Sequence, residues 1–128
     1  MRLLLDTHAL IWAAQKPELL SQRARSGIEA GANDVYVSAA SAFEIATKYR
    51  LGKLKVSPTL AENFVDEVDR CGFSTLPIQA EHGQRAGLLA IKHKDPWDRM
   101  LIAQAQIEGM RLVSNEALFD DFAVSRYW

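Results

Sequence analysis

One cysteine, Cys71, is the whole thiol content of this chain. It rules out an internal disulfide, and the simpler inference is a reducing, cytoplasmic compartment. No apolar run approaches the roughly 20 residues that cross a bilayer, so no membrane span is expected. The apolar start, Leu3-Leu4-Leu5, is interrupted by Asp6 and followed by no small-residue cleavage site, which is not the pattern of a signal peptide. Charge of one sign is also missing, since 15 Lys and Arg face 16 Asp and Glu for a net charge of −1. A nucleic-acid binder is usually basic, so this balance argues mildly against that class. The argument loses force if acids gather around divalent cations, because the remaining surface is then net positive. The chain has no low-complexity segment, no repeat and no interior linker, and 48% of its residues are hydrophobic. Disorder is therefore not expected, and residues 1–128 suit a single domain with a real core. Three kinds of chemistry lack their signatures: there is no Cys–His array for zinc, no Gly-x-Ser-x-Gly of an acyl hydrolase and no glycine-rich nucleotide cradle.

What is present begins with Arg2-Leu3-Leu4-Leu5-Asp6-Thr7-His8. Three leucines are too few for a helix and suit a strand buried on both faces. Asp6 then falls at the carboxyl end of that strand, where open α/β sheets place their ligands. Asp6 and Thr7 are also both good N-caps for the amphipathic stretch from Ala9 to Ala14. Beyond Pro17, a helix is predicted over 18–30, with Leu19, Leu20, Ala24 and Ile28 on its apolar side. Val35 to Ser38 reads as a strand, and 39–51 as a helix whose apolar side is Ala39, Ala42, Phe43, Ala46 and Tyr49, stopped by Gly52. Ser57-Pro58 starts a helix running to about Arg70, with Leu60, Phe64, Val65 and Val68 buried. Phe73 to Leu76 can be a strand, 79–91 is helical, and Asp95-Pro96 opens a helix that Gly109 closes. Met110 to Ser114 is a strand, and Val124 to Trp128 reads as a short last one. Strands alternating with helices indicate an α/β fold with a mainly parallel sheet covered on both faces, the Asp6 strand near its centre.

Four acids fall at strand ends or helix starts, namely Asp6, Glu44, Asp98 and Glu116, and a parallel sheet could bring all of them to one crevice. Each also has a structural explanation. Ser41-Ala42-Phe43-Glu44 has the form of a capping box, and Asp95-Pro96-Trp97-Asp98 that of a capped helix start. Ser114 could cap a short helix in which Glu116 meets the positive end of the dipole. Together the acids weigh differently, because clustered carboxylates without basic partners repel one another. A hard divalent cation such as Mg²⁺ or Mn²⁺ relieves that repulsion with all-oxygen ligation.

The stretches Leu3-Leu4-Leu5-Asp6-Thr7-His8, Ser41-Ala42-Phe43-Glu44-Ile45-Ala46, His93 to Ala105 (with Asp95-Pro96-Trp97-Asp98-Arg99 at its heart) and Leu112-Val113-Ser114-Asn115-Glu116 together resemble the PIN-domain endoribonucleases. More narrowly, the chain resembles the VapC-type toxins of bacterial toxin–antitoxin pairs. The stretches occur in the family's order and span nearly the whole chain. The resemblance implies a PIN-like three-layer sandwich and cleavage of RNA phosphodiester bonds dependent on Mg²⁺ or Mn²⁺. It implies Asp6, Glu44 and Asp98 as the acidic core, catalytic and metal-holding, with Ser114 orienting a carboxylate or water and Thr7 in support. Glu116 stands where the family commonly has aspartate; being one methylene longer, it either reaches the metal through a water or only supports the site. Partners implied are an RNA substrate, a cognate antitoxin protein and a second copy in a homodimer, for which the apolar pair Tyr127-Trp128 is a candidate surface.

Other residues carry two readings each. Asp95 is the helix cap or a support for Asp98. Arg99 touches RNA phosphate or forms a salt bridge within the cluster. Lys48 pairs with Glu44 four residues earlier, or joins Arg50, Lys53 and Lys55 in a basic run that contacts RNA. His8, His82 and His93 read as local hydrogen-bonding groups, and Trp12, Trp97 and Trp128 as core or interface. A competing class is a PIN fold without turnover, serving as an RNA-binding or protein-interaction module. An aspartate-nucleophile phosphatase also has a strand ending in Asp, but it needs a second aspartate where this chain has His8.

Overall fold

Leu3, Leu4 and Leu5 are all fully buried, and their place in the sheet explains it. In the computed structural model, which describes residues 1–128, they belong to β1 (Arg2–Leu5). That strand lies between β2 (Asp34–Ser38) and β4 (Arg111–Val113). The sheet is completed by β3 (Ser74–Leu76) beside β2 and β5 (Arg126–Tyr127) beside β4, giving the order β3-β2-β1-β4-β5. Every pairing is parallel, with Leu4 opposite Tyr36 on one side and Leu112 on the other. A strand in this position buries both faces, which is why an unbroken apolar run works here.

Side chains alternate across the sheet, so the leucine run feeds two separate cores. Leu3 and Leu5 point into one, with residues from α1 (Thr7–Gln15), α2 (Gln22–Glu29), α3 (Ala39–Arg50), α4 (Pro58–Glu62) and α5 (Phe64–Arg70). Leu4 points into the other, with Leu76, Leu112, Phe119 and Leu101, Ile102 and Ala105 of α7 (Pro96–Glu108). The remaining helix, α6 (Ala80–Leu88), packs on α7. Each fully buried leucine contributes roughly 1.5–3 kcal/mol relative to exposure. The result is a three-layer α/β sandwich, with the Asp6 strand at its centre as the sequence predicted.

Three of the predicted helices differ from the observed ones. The helix predicted over 18–30 is broken: a 3-10 turn (Pro17–Leu19) comes first, Leu20 is extended, and Ser21 caps α2 by accepting from Ala24 N. The helix predicted from Pro58 to Arg70 is two helices, divided at Asn63, whose backbone (φ −132°, ψ 52°) leaves the helical region. The segment predicted helical to Ile91 stops at Leu88, because Leu89 turns extended. The apolar side assigned to α3 is also wrong. Its buried residues are Ala40, Ser41, Glu44 and Ile45, whereas Phe43 is 66% exposed.

Tyr127 is buried, and Gly27 of α2 makes room for it: a Cβ there would lie 2.7 Å from Tyr127 Cε1. The Arg23 guanidinium lies 4.4 Å from the centre of the same ring, and the Trp128 ring sits 5.9 Å from Trp12. The apolar pair expected at a dimer face thus packs within its own chain.

Candidate active site

The carboxyl ends of parallel strands and the N-termini of the helices that follow share one edge of the sheet. Asp6 stands there immediately after β1 and caps α1, its Oδ1 accepting from Ala9 N at 2.8 Å. Capping leaves it nearly enclosed, and its pKa is pushed up to about 6. Burial is the main cause, Ser114, the Ala9 N–H and His8 oppose it, and the Glu116 charge adds to it.

Thr7 ties this edge to α3. Its hydroxyl donates to Glu44 Oε1 at 2.6 Å and lies 3.0 Å from Ser41 Oγ. Glu44 is buried, and its other oxygen receives Lys48 Nζ at 2.5 Å. The helical pairing of Lys48 with Glu44 is therefore present, and the hydrogen bond raises the lysine's pKa, with Asp95 and Asp98 contributing nearby negative charge. The expected capping box is absent. Ser38, not Ser41, caps α3, accepting from Ala40 N, while Ser41 faces Thr7.

Asp98 sits in the first turn of α7, which Asp95 caps by accepting from Trp97 N (2.9 Å) and Asp98 N (3.2 Å). Burial raises the Asp98 pKa, Asp95 and Glu116 raise it further, and the bond from His93 opposes them. Glu116 is half-exposed just after β4, and its N–H donates to Ser114 Oγ at 3.0 Å. The Ser114 carbonyl accepts from Arg126 at 3.1 Å. Glu116 thus loads charge onto both Asp6 and Asp98, which links the ends of β1 and β4 with the start of α7.

The local hydrogen bond expected of His93 is made to one of the candidate acids. His93 Nε2 lies 2.7 Å from Asp98 Oδ2. A histidine two residues ahead of a capping aspartate is the available signal, since that position lies beside the helix's first turn. Arg99 forms no salt bridge within the acidic cluster. Its guanidinium donates to the carbonyls of Ala86, Gly87, Leu89, Ile91 and His93, tying down the irregular segment that carries His93. Arg50, Lys53 and Lys55 are exposed, whereas Lys48 is committed to Glu44.

All donors from the four acids, Thr7 and Ser114 are oxygens, as a hard divalent cation requires. Two of the acids are held above their ordinary pKa, a condition that added positive charge relieves. The donor chemistry therefore fits Mg²⁺ or Mn²⁺, although no three carboxylate or imidazole groups already stand together as a ligand set. The two cavities of the molecule lie elsewhere, one lined by Glu81, Arg85 and Leu88 and the other by Ala13, Leu20 and Phe73. Asp6 and Glu44 are buried, while Asp98 and Glu116 are half-exposed. No helix is long and apolar enough to cross a membrane.

The PIN domain family model matches residues 3–124 of the chain. Ribonuclease VapC16 of Mycobacterium tuberculosis (strain ATCC 25618 / H37Rv) is 46% identical over 50 residues, a stretch covering 39% of this chain and 36% of that protein. The match thus spans little more than a third of that relative's length. Among solved structures, VapBC2 from Rickettsia felis bound to a promoter DNA fragment superposes with a TM-score of 0.68 at 18% identity, covering 100% of both chains. VapBC-1 from nontypeable Haemophilus influenzae gives 0.66 at 12% identity, over 98% of this chain and 96% of that one. FitAcB from Neisseria gonorrhoeae gives 0.64 at 16% identity, over 98% and 96%. At these identities the likeness is one of fold.

Proposed function

We propose that this chain, which belongs to the PIN-domain family, is a divalent-metal-dependent endoribonuclease acting as the VapC-type toxin of a toxin–antitoxin pair. The observation that carries the reading is electrostatic. Burial raises the pKa of both Asp6 and Asp98 and the Glu116 charge adds to each, with Asp6 at the end of β1, where α/β sheets bind ligands, and Asp98 in the first turn of α7. Asp6, Glu44 and Asp98 would hold Mg²⁺ or Mn²⁺, with Glu116 in support through its longer side chain. Such an ion, when bound, would lower the pKa of its water and offset charge building on a phosphoryl group. Thr7 fixes the Glu44 carboxylate by its 2.6 Å bond, His93 fixes one oxygen of Asp98, and Asp95 holds the first turn of α7. Arg50 and Lys53, both exposed, draw the RNA backbone toward the acids by charge. The toxin role and the antitoxin partner are supported by the neighbours of the same fold, a toxin–antitoxin complex from Klebsiella pneumoniae and the VapBC structures among them.

A second reading, a PIN fold without turnover that binds RNA or protein, is favoured by the Lys48 ammonium on Glu44 and by the lack of a preassembled ligand set. Incubating purified protein with RNA under Mg²⁺ or Mn²⁺, then under chelator, separates the two. Cleavage that stops with chelator and is lost in Asp6→Asn supports the nuclease; RNA binding without cleavage under either ion leaves the module.

A further inference from the structure

The outward face of α3 is where the chain departs most from its own hydrophobic pattern. Phe43 is 66% exposed, yet its ring meets Trp97 edge-on, with centroids 5.0 Å apart and planes at 89°. Phe43 directly precedes Glu44 and Trp97 directly precedes Asp98, so the ring pair joins the two helices, α3 and α7, that carry these acids. The edge-on contact braces Phe43 while leaving most of its ring open. One and two turns further along the same helix face come Ala46 and Arg50, both exposed. At a rise of about 1.5 Å per residue, the Arg50 backbone lies roughly 10 Å beyond that of Phe43. Exposed Lys53 and Lys55 follow. The face therefore offers a braced aromatic ring, a small floor and then cations, with the acids alongside.

From this arrangement we infer that Phe43, supported by Trp97, is a stacking platform for one unpaired base of the RNA, whose neighbouring phosphates reach Arg50 and Lys53. The inference rests on the proposed nuclease reading and adds a base-binding subsite to it. A base offers a π-face whatever its identity, so the platform selects for single strands and not for sequence. A duplex keeps its bases stacked on one another and gains only the phosphate contacts. Net charge near zero favours such a mode, since part of the affinity then comes from stacking instead of charge.

The test measures binding of labelled mixed-sequence oligoribonucleotides, one single-stranded and one a blunt-ended duplex, by fluorescence anisotropy in chelator, together with cleavage under Mn²⁺. Phe43→Ala and Phe43→Leu should each weaken single-strand binding about tenfold, with Phe43→Tyr close to wild type. KM should rise more than kcat falls. Phe43→Leu keeps apolar bulk without the ring, so wild-type binding in that variant overturns the platform. Equal affinity for the duplex overturns it too. So does a Phe43→Ala variant that binds RNA normally but loses mass in light scattering or loses an antitoxin, for then the ring faces a protein. Because Phe43 is exposed, thermal melts of all three variants should match wild type. The two ideas fail separately. Ring-dependent binding in a protein that never cleaves sinks the nuclease and leaves the platform, whereas cleavage with KM unchanged in Phe43→Ala sinks the platform and leaves the nuclease.

Discussion

Asp6 combines two duties that pull its carboxyl in opposite directions. As the cap of α1 it accepts an N–H bond, which favours the charged form, but burial outweighs that and sets its pKa at about 6 against an ordinary 3.8. The folded protein consequently holds a proton over this interval that the unfolded chain has released. The resulting stability is full below the unfolded value and falls as pH rises from 3.8 to about 6. The shift corresponds to on the order of 3 kcal/mol. Thermal melts in chelator across that range should show the decline, Asp6→Asn should flatten it, and Mn²⁺ should reduce it in wild type. Asparagine caps a helix about as well as aspartate, so Asp6→Asn should melt no lower than wild type at pH 7 while losing cleavage. If Asp6 were a cap and nothing more, cleavage would survive that change. Glu116→Gln is expected to cost less activity than Asp6→Asn or Asp98→Asn, because Glu116 is half-exposed and makes no side-chain hydrogen bond, a ranking that initial-rate measurements at fixed Mn²⁺ can read.

Between α6 and α7 the backbone is held by one side chain. Arg99 donates to carbonyls at five positions from Ala86 to His93, and no lysine has the fork to replace it. Arg99→Lys should therefore destabilise by roughly 2–4 kcal/mol in denaturant melts, and hydrogen exchange should speed up first over 89–94. A similar dependence joins α2 to β5. Gly27→Ala drives a methyl into the Tyr127 ring, and the overpacking should cost about 1–3 kcal/mol, while the same change at Gly31, which meets nothing, should not. These contacts also mark what the sequence could and could not disclose. Local signals carried β1, the Asp95-Pro96 start of α7 and its stop at Gly109, because each rests on a few adjacent residues. The face of α3 was misassigned because its inward side includes Ser41 and Glu44, whose polarity is satisfied from α1 by Thr7. A hydrophobic pattern cannot register a hydrogen bond made across two elements. The sequence marks His93 as a local hydrogen-bonding group but not its partner, because its approach to Asp98 depends on a loop that Arg99 shapes from the next helix.

At the scale of the whole molecule, the four acids come from widely separated stretches, the end of β1, α3, the start of α7 and the turn after β4, so the candidate site exists only once the sheet is complete. A site built from carboxylates is also simple to block, since a partner laying one basic side chain among the acids would displace any cation. Lys48 already does this in part to Glu44. The proposed toxin is expected to be a homodimer and to be silenced by such a partner. Tyr127 and Trp128 pack within their own chain, so an interface would draw instead on exposed apolar side chains such as Val65 or Leu88. Light scattering at roughly tens of micromolar, the range in which weak dimers form, should report twice the 14.3 kDa chain mass, and a monomer there would remove the dimer. Expression of the chain alone should arrest growth, and co-expression of an antitoxin from the adjacent gene should restore it. Asp6→Asn separates the causes: it should be harmless alone yet still capture the antitoxin, because the fold and the docking surface are kept. Continued toxicity in Asp6→Asn would mean that arrest comes from binding and not from cleavage, and the module without turnover would then be the better account of this fold.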